Sequence, residues 1–152
     1  MAIRNVRIEG DEILRKKTRE VTVIDDKIKQ LLNDMADTMY KNEGVGLAAP
    51  QVGMLKKIVI VDIGEGLVEF INPVILKAKG KKVYKEGCLS VPHVYGQVTR
   101  PLKIKVKALD RNGNEFVLEA EEFMAQAICH ELDHLEGILF IDKATNLERV
   151  EE

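Results

Sequence analysis

Residues 121–137 read EEFMAQAICHELDHLEG, and within them lies His130-Glu131-Leu132-Asp133-His134, an H-E-x-x-H pattern. The stretch predicts a helix from about Glu121 to Glu136, with Gly137 as its stop and Glu121 and Glu122 at the positive end of its dipole. On a helix, positions i and i+4 return to nearly the same face. His130 and His134 can therefore offer two ring nitrogens to one metal ion. Glu131 sits on the flank of that face, where a carboxylate can act as a general base without binding the ion itself. Two ligands and a base within five residues point to a metal-dependent hydrolase.

The rest of the chain is compatible with that reading. Its 152 residues are enough for one domain, residues 1–152, with a real core. A hydrophobic content of 45% argues for a globular fold over disorder. Lys plus Arg number 23 against 25 Asp plus Glu, a net charge of -2 that gives no support for direct nucleic-acid binding. The apolar runs fall far short of the ~20 residues that cross a bilayer, so no membrane association is expected. The N-terminus MAIRNVRIEGDEILRKK is broken by charges throughout and does not read as a signal peptide. A cytoplasmic location is expected. In such a chain the two cysteines, Cys88 and Cys129, suggest metal binding or catalysis before a disulfide.

Ile28, Leu31, Leu32, Met35, Ala36 and Met39 recur at helical spacing and predict a helix over 25–42, capped by Asp25 or Asp26 and stopped at Gly44. A loop is expected at Gly44-Val45-Gly46-Leu47-Ala48-Ala49-Pro50-Gln51. Strands are expected at Lys57–Asp62, at Leu67–Ile71, in a longer segment leading to Tyr84, and at Lys103–Leu109. Asp110-Arg111-Asn112-Gly113 then signals a hairpin, with Asn114–Glu119 as the return strand. Helix, strands, then helix define an α+β fold.

The H-E-x-x-H pattern needs a third ligand. The H-E-x-x-H-x-x-G-x-x-H extension fails, because Phe140 stands where its last His would be. Cys88, in Glu86-Gly87-Cys88-Leu89-Ser90, and His93 are the candidates. A thiolate binds zinc or ferrous iron strongly, and two His plus one Cys leave a fourth position open, so Cys88 is favoured. His93 reads as a solvated loop residue. Cys129 points about 100° from His130 and reads as core packing. The Gly44-x-Gly46-x-x-Ala49 run follows a helix, not a strand, so it is no dinucleotide fingerprint. Its two glycines instead let backbone approach an extended ligand, and Gln51 adds a neutral donor suited to an oxyanion.

Taken together, GVGLAAPQ at 44–51, EGCLS at 86–90 and HELDHLEG at 130–137 closely resemble the peptide deformylase family. That family removes the formyl group from the N-terminal formylmethionine of new bacterial and organellar proteins. The resemblance implies that Cys88, His130 and His134 bind one divalent metal ion, usually Fe2+, with Zn2+, Ni2+ or Co2+ able to occupy the site. It implies that Glu131 is the acid/base, and that Gln51 and the backbone N–H of Leu89 face the oxyanion. Gly44, Val45, Gly46, Glu86 and Gly87 are implied to meet the substrate, an N-formylmethionyl nascent peptide. A pocket for an unbranched apolar side chain is expected around Val45, Leu89 and Ile128.

The implied fold is one domain with mixed, mainly antiparallel sheets around the helix that carries the two His. Docking on the ribosome near the exit tunnel is a further expectation, although the tail after Lys143 is short and acidic. The chain departs from common family residues at Glu12, Tyr95 and Cys129. Three rivals are weighed against this reading: a zinc endopeptidase, a non-catalytic zinc-stabilised module, and a Cys88 hydrolase with a His base.

Overall fold

In the computed structural model, which describes residues 2–150, Asp25 accepts a hydrogen bond from the amide of Ile28 at 3.0 Å. Helix α1 starts there and runs Asp26–Lys41, as the spacing predicts. Its buried side chains include Ile28, Leu31, Leu32, Met35 and Met39, which form the expected apolar stripe. The helix closes with a paired end: the Gly44 amide donates to the Met39 carbonyl (2.9 Å) and the Glu43 amide to that of Tyr40 (3.1 Å). The left-handed residue of this cap is Glu43 (φ 57), not Gly44.

The strands are β1 (Gly46–Ala48), β2 (Ile58–Val61), β3 (Val68–Lys79), β4 (Lys82–Cys88), β5 (Val91–Arg100), β6 (Lys103–Leu109) and β7 (Glu115–Glu121). Helix α2 (Phe123–His134) and strand β8 (Thr145–Arg149) complete the chain. One sheet has the order β1-β2-β3-β6-β7 and the other β4-β5-β8, and every strand pair in both is antiparallel. The α+β expectation holds.

Several boundaries differ from the sequence reading. The segment 44–51 is not all loop: it contains β1 and a 3-10 turn at Ala49–Val52. Strand β3 runs past Ile71 to Lys79, and β5 and β8 were not expected. Helix α2 is shorter at both ends than 121–136. Glu121 is the last residue of β7, and Glu122, left-handed at φ 53, turns the chain into the helix without a side-chain cap. The Gly137 stop does hold: at φ 75 it lets its own amide reach the His134 carbonyl (3.2 Å) and that of Ile138 reach Asp133 (3.0 Å). The 110–113 turn forms as expected, with the Asp110 carboxylate accepting from the Asn112 and Asn114 amides.

Strand β2 explains how the layers stack. Successive side chains of a strand point to opposite faces. Ile58 and Ile60 join the cluster under α1, whereas Val59 and Val61 join Phe70, Val106, Ala125 and Ile128 on the α2 side. The larger sheet is thus covered on both faces at β2, which is why this strand reads as a continuous apolar run. Helix α2 packs on β1, β2 and β7 of this sheet and on β5 of the smaller one. A third cluster, Leu14, Val91, Val98, Leu139 and Phe140, fills the space beside the smaller sheet.

The N-terminal segment is tied to α1 by one buried carboxylate. Asp34 accepts from the Ala2 amide (3.0 Å), Arg4 Nε (3.0 Å) and Gln30 Nε2 (2.7 Å). Burial alone would raise its carboxyl, but the hydrogen bonds from Gln30, the Ala2 amide and Arg4 outweigh it and hold the carboxyl below its ordinary value. A depressed carboxylate stabilises the fold above its unfolded pKa of about 3.9, and that contribution is lost as pH falls through the folded value. We expect Asp34→Ala to destabilise the protein by about 1–3 kcal/mol at neutral pH. Thermal melts of the two proteins should begin to converge as pH falls below about 4; an equal gap at pH 3 and pH 7 would contradict the role.

Candidate metal centre

Cys88 ends β4, and a two-residue turn, Leu89-Ser90, returns the chain into β5 with Cys88 opposite Val91. Helix α2 brings its His130 and His134 beneath that turn. One ligand atom from each of Cys88, His130 and His134 lies within 4.8 Å of the others, and Cys88 Sγ is 3.4 Å from His134 Nε2. His93 is exposed and outside this group, and Cys129 also lies outside it. Burial pushes the Cys129 thiol up to about 11, as suits a packing residue.

Glu86 was expected on the substrate side. Its carboxylate instead lies inside the protein, 2.8 Å from His130 Nδ1 and gripped by both Arg100 Nε and Arg100 Nη2 at 2.8 Å. Gln126 Nε2 donates to the same carboxylate at 3.3 Å. Burial would raise the Glu86 carboxyl, but hydrogen bonds from Arg100 and His130 hold it at about 2. An ionised carboxylate only accepts, so His130 carries its hydrogen on Nδ1 and keeps the Nε2 lone pair for a ligand role. Phe140 stacks against the other side of this ring, 6.1 Å between centroids. Gly87 leaves room for Tyr95, whose ring would lie 2.6 Å from an added Cβ.

Glu131 is buried beside the ligand atoms, and burial, only partly opposed by His130, pushes its carboxyl up to about 7. Gly46 is what lets β1 pass it: a Cβ there would lie 2.6 Å from Glu131 Oε2. A Cβ on Gly44 would likewise meet Leu89 Cδ1 at 2.9 Å. Gly46 thus accommodates the close approach of β1 to Glu131 on α2, and Gly44 leaves room for the Leu89 side chain of the Cys88 turn. Gln51 is buried, with Oε1 accepting from the Ala48 amide (2.9 Å) and Nε2 donating to Ser90 Oγ (3.1 Å) and facing Cys88 Sγ at 3.6 Å. Val45, just ahead of β1, is 40% exposed. Ile128, expected beside a substrate side chain, is instead fully buried in the core.

Gln51, Cys88, Leu89, His130, Glu131, His134 and the glycine pair are therefore brought together. Ser90, Gln126, Phe140 and the Arg100–Glu86 fork were not anticipated. No local spacing links them, since their partners lie on other elements. Arg100 Nη1 also donates to Asp133 Oδ2 at 2.6 Å.

The residues fit a divalent cation. Burial lowers the proton affinity of both histidines and leaves His134 well below its ordinary range. At His130 that burial effect is outweighed by Cys88, Glu86 and Glu131, which raise it well above the ordinary range. That anionic surrounding favours positive charge at the ring, which a metal ion supplies as readily as a proton. Glu131 Oε1 is also buried without a protein partner. Two buried histidines and a half-buried cysteine beside an uncommitted carboxylate are the donor arrangement of a metal-dependent hydrolase.

Comparison with known proteins gives the family. A family model described as polypeptide deformylase matches residues 3–150. A peptide deformylase of Caldicellulosiruptor bescii is 57% identical over all of this chain and 92% of its own length. Peptide deformylase 1 of Clostridium acetobutylicum is 56% identical over 97% of this chain and 99% of its own. A crystal structure of a Thermotoga maritima peptide deformylase superposes with a TM-score of 0.92 at 40% identity, covering 94% of this chain and 98% of that one. A Synechococcus elongatus peptide deformylase in complex with actinonin superposes with a TM-score of 0.90 at 40% identity, covering 93% of this chain and 79% of that one. The chain belongs to the peptide deformylase family. It is a metal-dependent hydrolase that removes the N-terminal formyl group from newly made polypeptides.

The two cysteines should separate cleanly. Cys88→Ser should lose or weaken metal binding, because a hydroxyl is a far poorer ligand than a thiolate. Cys129→Ser should keep metal and activity, at most with a small loss of stability. Metal-to-protein ratios after dialysis decide the point, and the opposite pattern would overturn the assignment.

Proposed function

We propose that Cys88, His130 and His134 hold a ferrous ion and that Glu131 carries the proton in deformylation of N-formylmethionyl peptides. The observation that carries this reading is the convergence of the three ligand atoms beside a buried, unpartnered Glu131 oxygen. A divalent ion in this position supplies Lewis acidity, which acidifies water and polarises the formyl oxygen.

The chain's own residues do the rest. Glu131, raised to about 7 by burial, takes a proton from the attacking water and passes it to the departing α-amine. Gln51 turns Nε2 toward the Cys88 side, and with the Leu89 amide it stabilises negative charge growing on the formyl oxygen. Gly44, Val45 and Gly46 meet the substrate backbone, a role supported by β1 standing at the edge of its sheet, paired in it with β2 alone. Glu86 serves by orienting His130, and Gly87 by admitting Tyr95. The 152 residues act as one deformylase domain, working in the cytoplasm on nascent chains and docking near the ribosomal exit tunnel. No helix among the described residues is long and apolar enough to cross a membrane.

Rival readings fit the site less well. A closed structural zinc site has four protein ligands, and three converge here. A Cys88 nucleophile would leave buried Glu131 without a task.

Formate release from formyl-Met-Ala-Ser tests the proposal, with metal analysis of the same sample. Glu131→Gln should keep its metal and lose roughly 100- to 10,000-fold in kcat, the usual worth of a general acid/base. Wild-type turnover in that variant would remove Glu131 from the mechanism. Formyl-Met substrates should far exceed formyl-Asp ones in kcat/KM. Iron-loaded protein should lose activity in air, where both the ion and the thiolate oxidise, while nickel- or cobalt-loaded protein persists. Actinonin should raise the Tm of the metal-loaded protein in a concentration-dependent way, and the absence of any shift would count against a shared ligand site.

A further inference from the structure

The H-E-x-x-H pattern leaves Asp133 unspecified, yet the fold commits it fully. Its Oδ2 accepts from Arg100 Nη1 at 2.6 Å and faces Lys143 Nζ at 3.0 Å. The second oxygen, Oδ1, accepts from the same lysine at 3.2 Å. On its other edge Arg100 grips Glu86 through Nε and Nη2, and Glu86 Oε1 meets His130 Nδ1. Four side chains therefore run in series from Lys143, whose side chain is 44% exposed, to the ring of His130. Their charges cancel, with Glu86 and Asp133 against Arg100 and Lys143.

A guanidinium is a rigid planar fork. Glu86 occupies one edge of it, so a second contact on the other edge is what stops the plane from pivoting about the first. Asp133 supplies that contact. It also shares the Arg100 charge, so that Glu86 keeps more of its acceptor strength for the His130 N–H. The residues 139–143 bear on the ring twice, since Phe140 stacks on it and Lys143 completes the charge of Asp133.

We propose that Asp133 is a positioning residue for the metal, acting through Arg100 and Glu86 to fix the orientation and tautomer of His130, with Lys143 as its outer counter-charge. The proposal rests on Cys88, His130 and His134 being the ligands.

Cobalt-substituted protein tests it through the visible Co(II) spectrum and the rate of metal loss to a chelator. Asp133→Asn keeps the shape and removes the charge. It should shift the Co(II) bands and speed metal loss roughly 10-fold, the lower end of what loss of a ligand's own hydrogen-bond partner causes. Because Asp133 acts through Glu86, the double variant with Glu86→Gln should lose metal no faster than Glu86→Gln alone. Multiplying effects, or an unchanged spectrum and rate in Asp133→Asn, would overturn the proposal. Should Asp133→Asn not fold, the surface change Lys143→Met carries the test. A smaller change of the same sign is expected there, and none would overturn the proposal. A Cys88→Ser or His130→Ala protein with an unaltered Co(II) spectrum would instead mean that the ligand assignment itself has failed.

Discussion

Everything near the site depends on burying a charged segment of helix α2 between two sheets. The helix meets β1, β2 and β7 on one side and β5 on the other, so its His130, Glu131 and His134 have almost no water to turn to. Buried polar groups need partners, and buried charges need paired ones. Arg100 is the answer for half of the problem. Standing at the end of β5 and 3% exposed, it satisfies Glu86 from the smaller sheet and Asp133 from the helix at once. Removing either carboxylate would leave an incompletely paired buried cation, which is far more costly than losing a surface ion pair. The ligand helix and the ligand strand are therefore joined through one guanidinium as well as through any metal.

The glycine pair shows a second constraint. Strand β1 lies between the two main apolar clusters, with Leu47 facing α1 and Ala48 facing the α2 side. Gly46 opens this strand and Gly44 lies just before it, where a Cβ would crowd Glu131 and Leu89 respectively and force those side chains to shift. Sequence alone suggests that these glycines free the backbone for a ligand. The structure adds a steric cause that operates before any ligand arrives. Both are compatible, because a strand edge pressed against the Glu131 carboxylate is also where the proposed substrate backbone would need to lie.

What the sequence disclosed and what it hid divide along the range of the interactions. Helix α1 was legible because its apolar spacing, its Asp25 cap and its nearby stop are all local. The β6–β7 hairpin was legible through Asp110 and Gly113 for the same reason. Strand β5 was not, since Pro92, Gly96 and a left-handed His93 interrupt it and pairing with β4 decides it. Strand β8 is five exposed residues with no apolar alternation, held by β5. In the site, H-E-x-x-H is a local pattern and Cys88 sits in a recognisable run, so the three residues that the fold gathers into a candidate metal group could be named. Glu86 was placed with the right motif but on the wrong side of it. Its direction is set by Arg100, 14 residues away, and by His130, 44 residues away, and no spacing rule encodes either.

The two ligand histidines are alike in sequence and unlike in surroundings. His130 has its Nδ1 committed to an ionised carboxylate and its ring face covered by Phe140. His134 Nδ1 has no protein partner among the described residues, and burial with the neighbouring His130 and Arg100 charges lowers its proton affinity. Positive charge is thus favoured at one ring and disfavoured at the other. A proton can serve only the first. Cys88, His130 and His134 would hold a metal ion that supplies positive charge to the His130–Glu86 pair without any proton on His134. The asymmetry therefore suits a shared cation better than protonation of either ring. It also leaves Glu131, buried and raised to about 7, as a carboxylate suited to the proton transfers proposed for it.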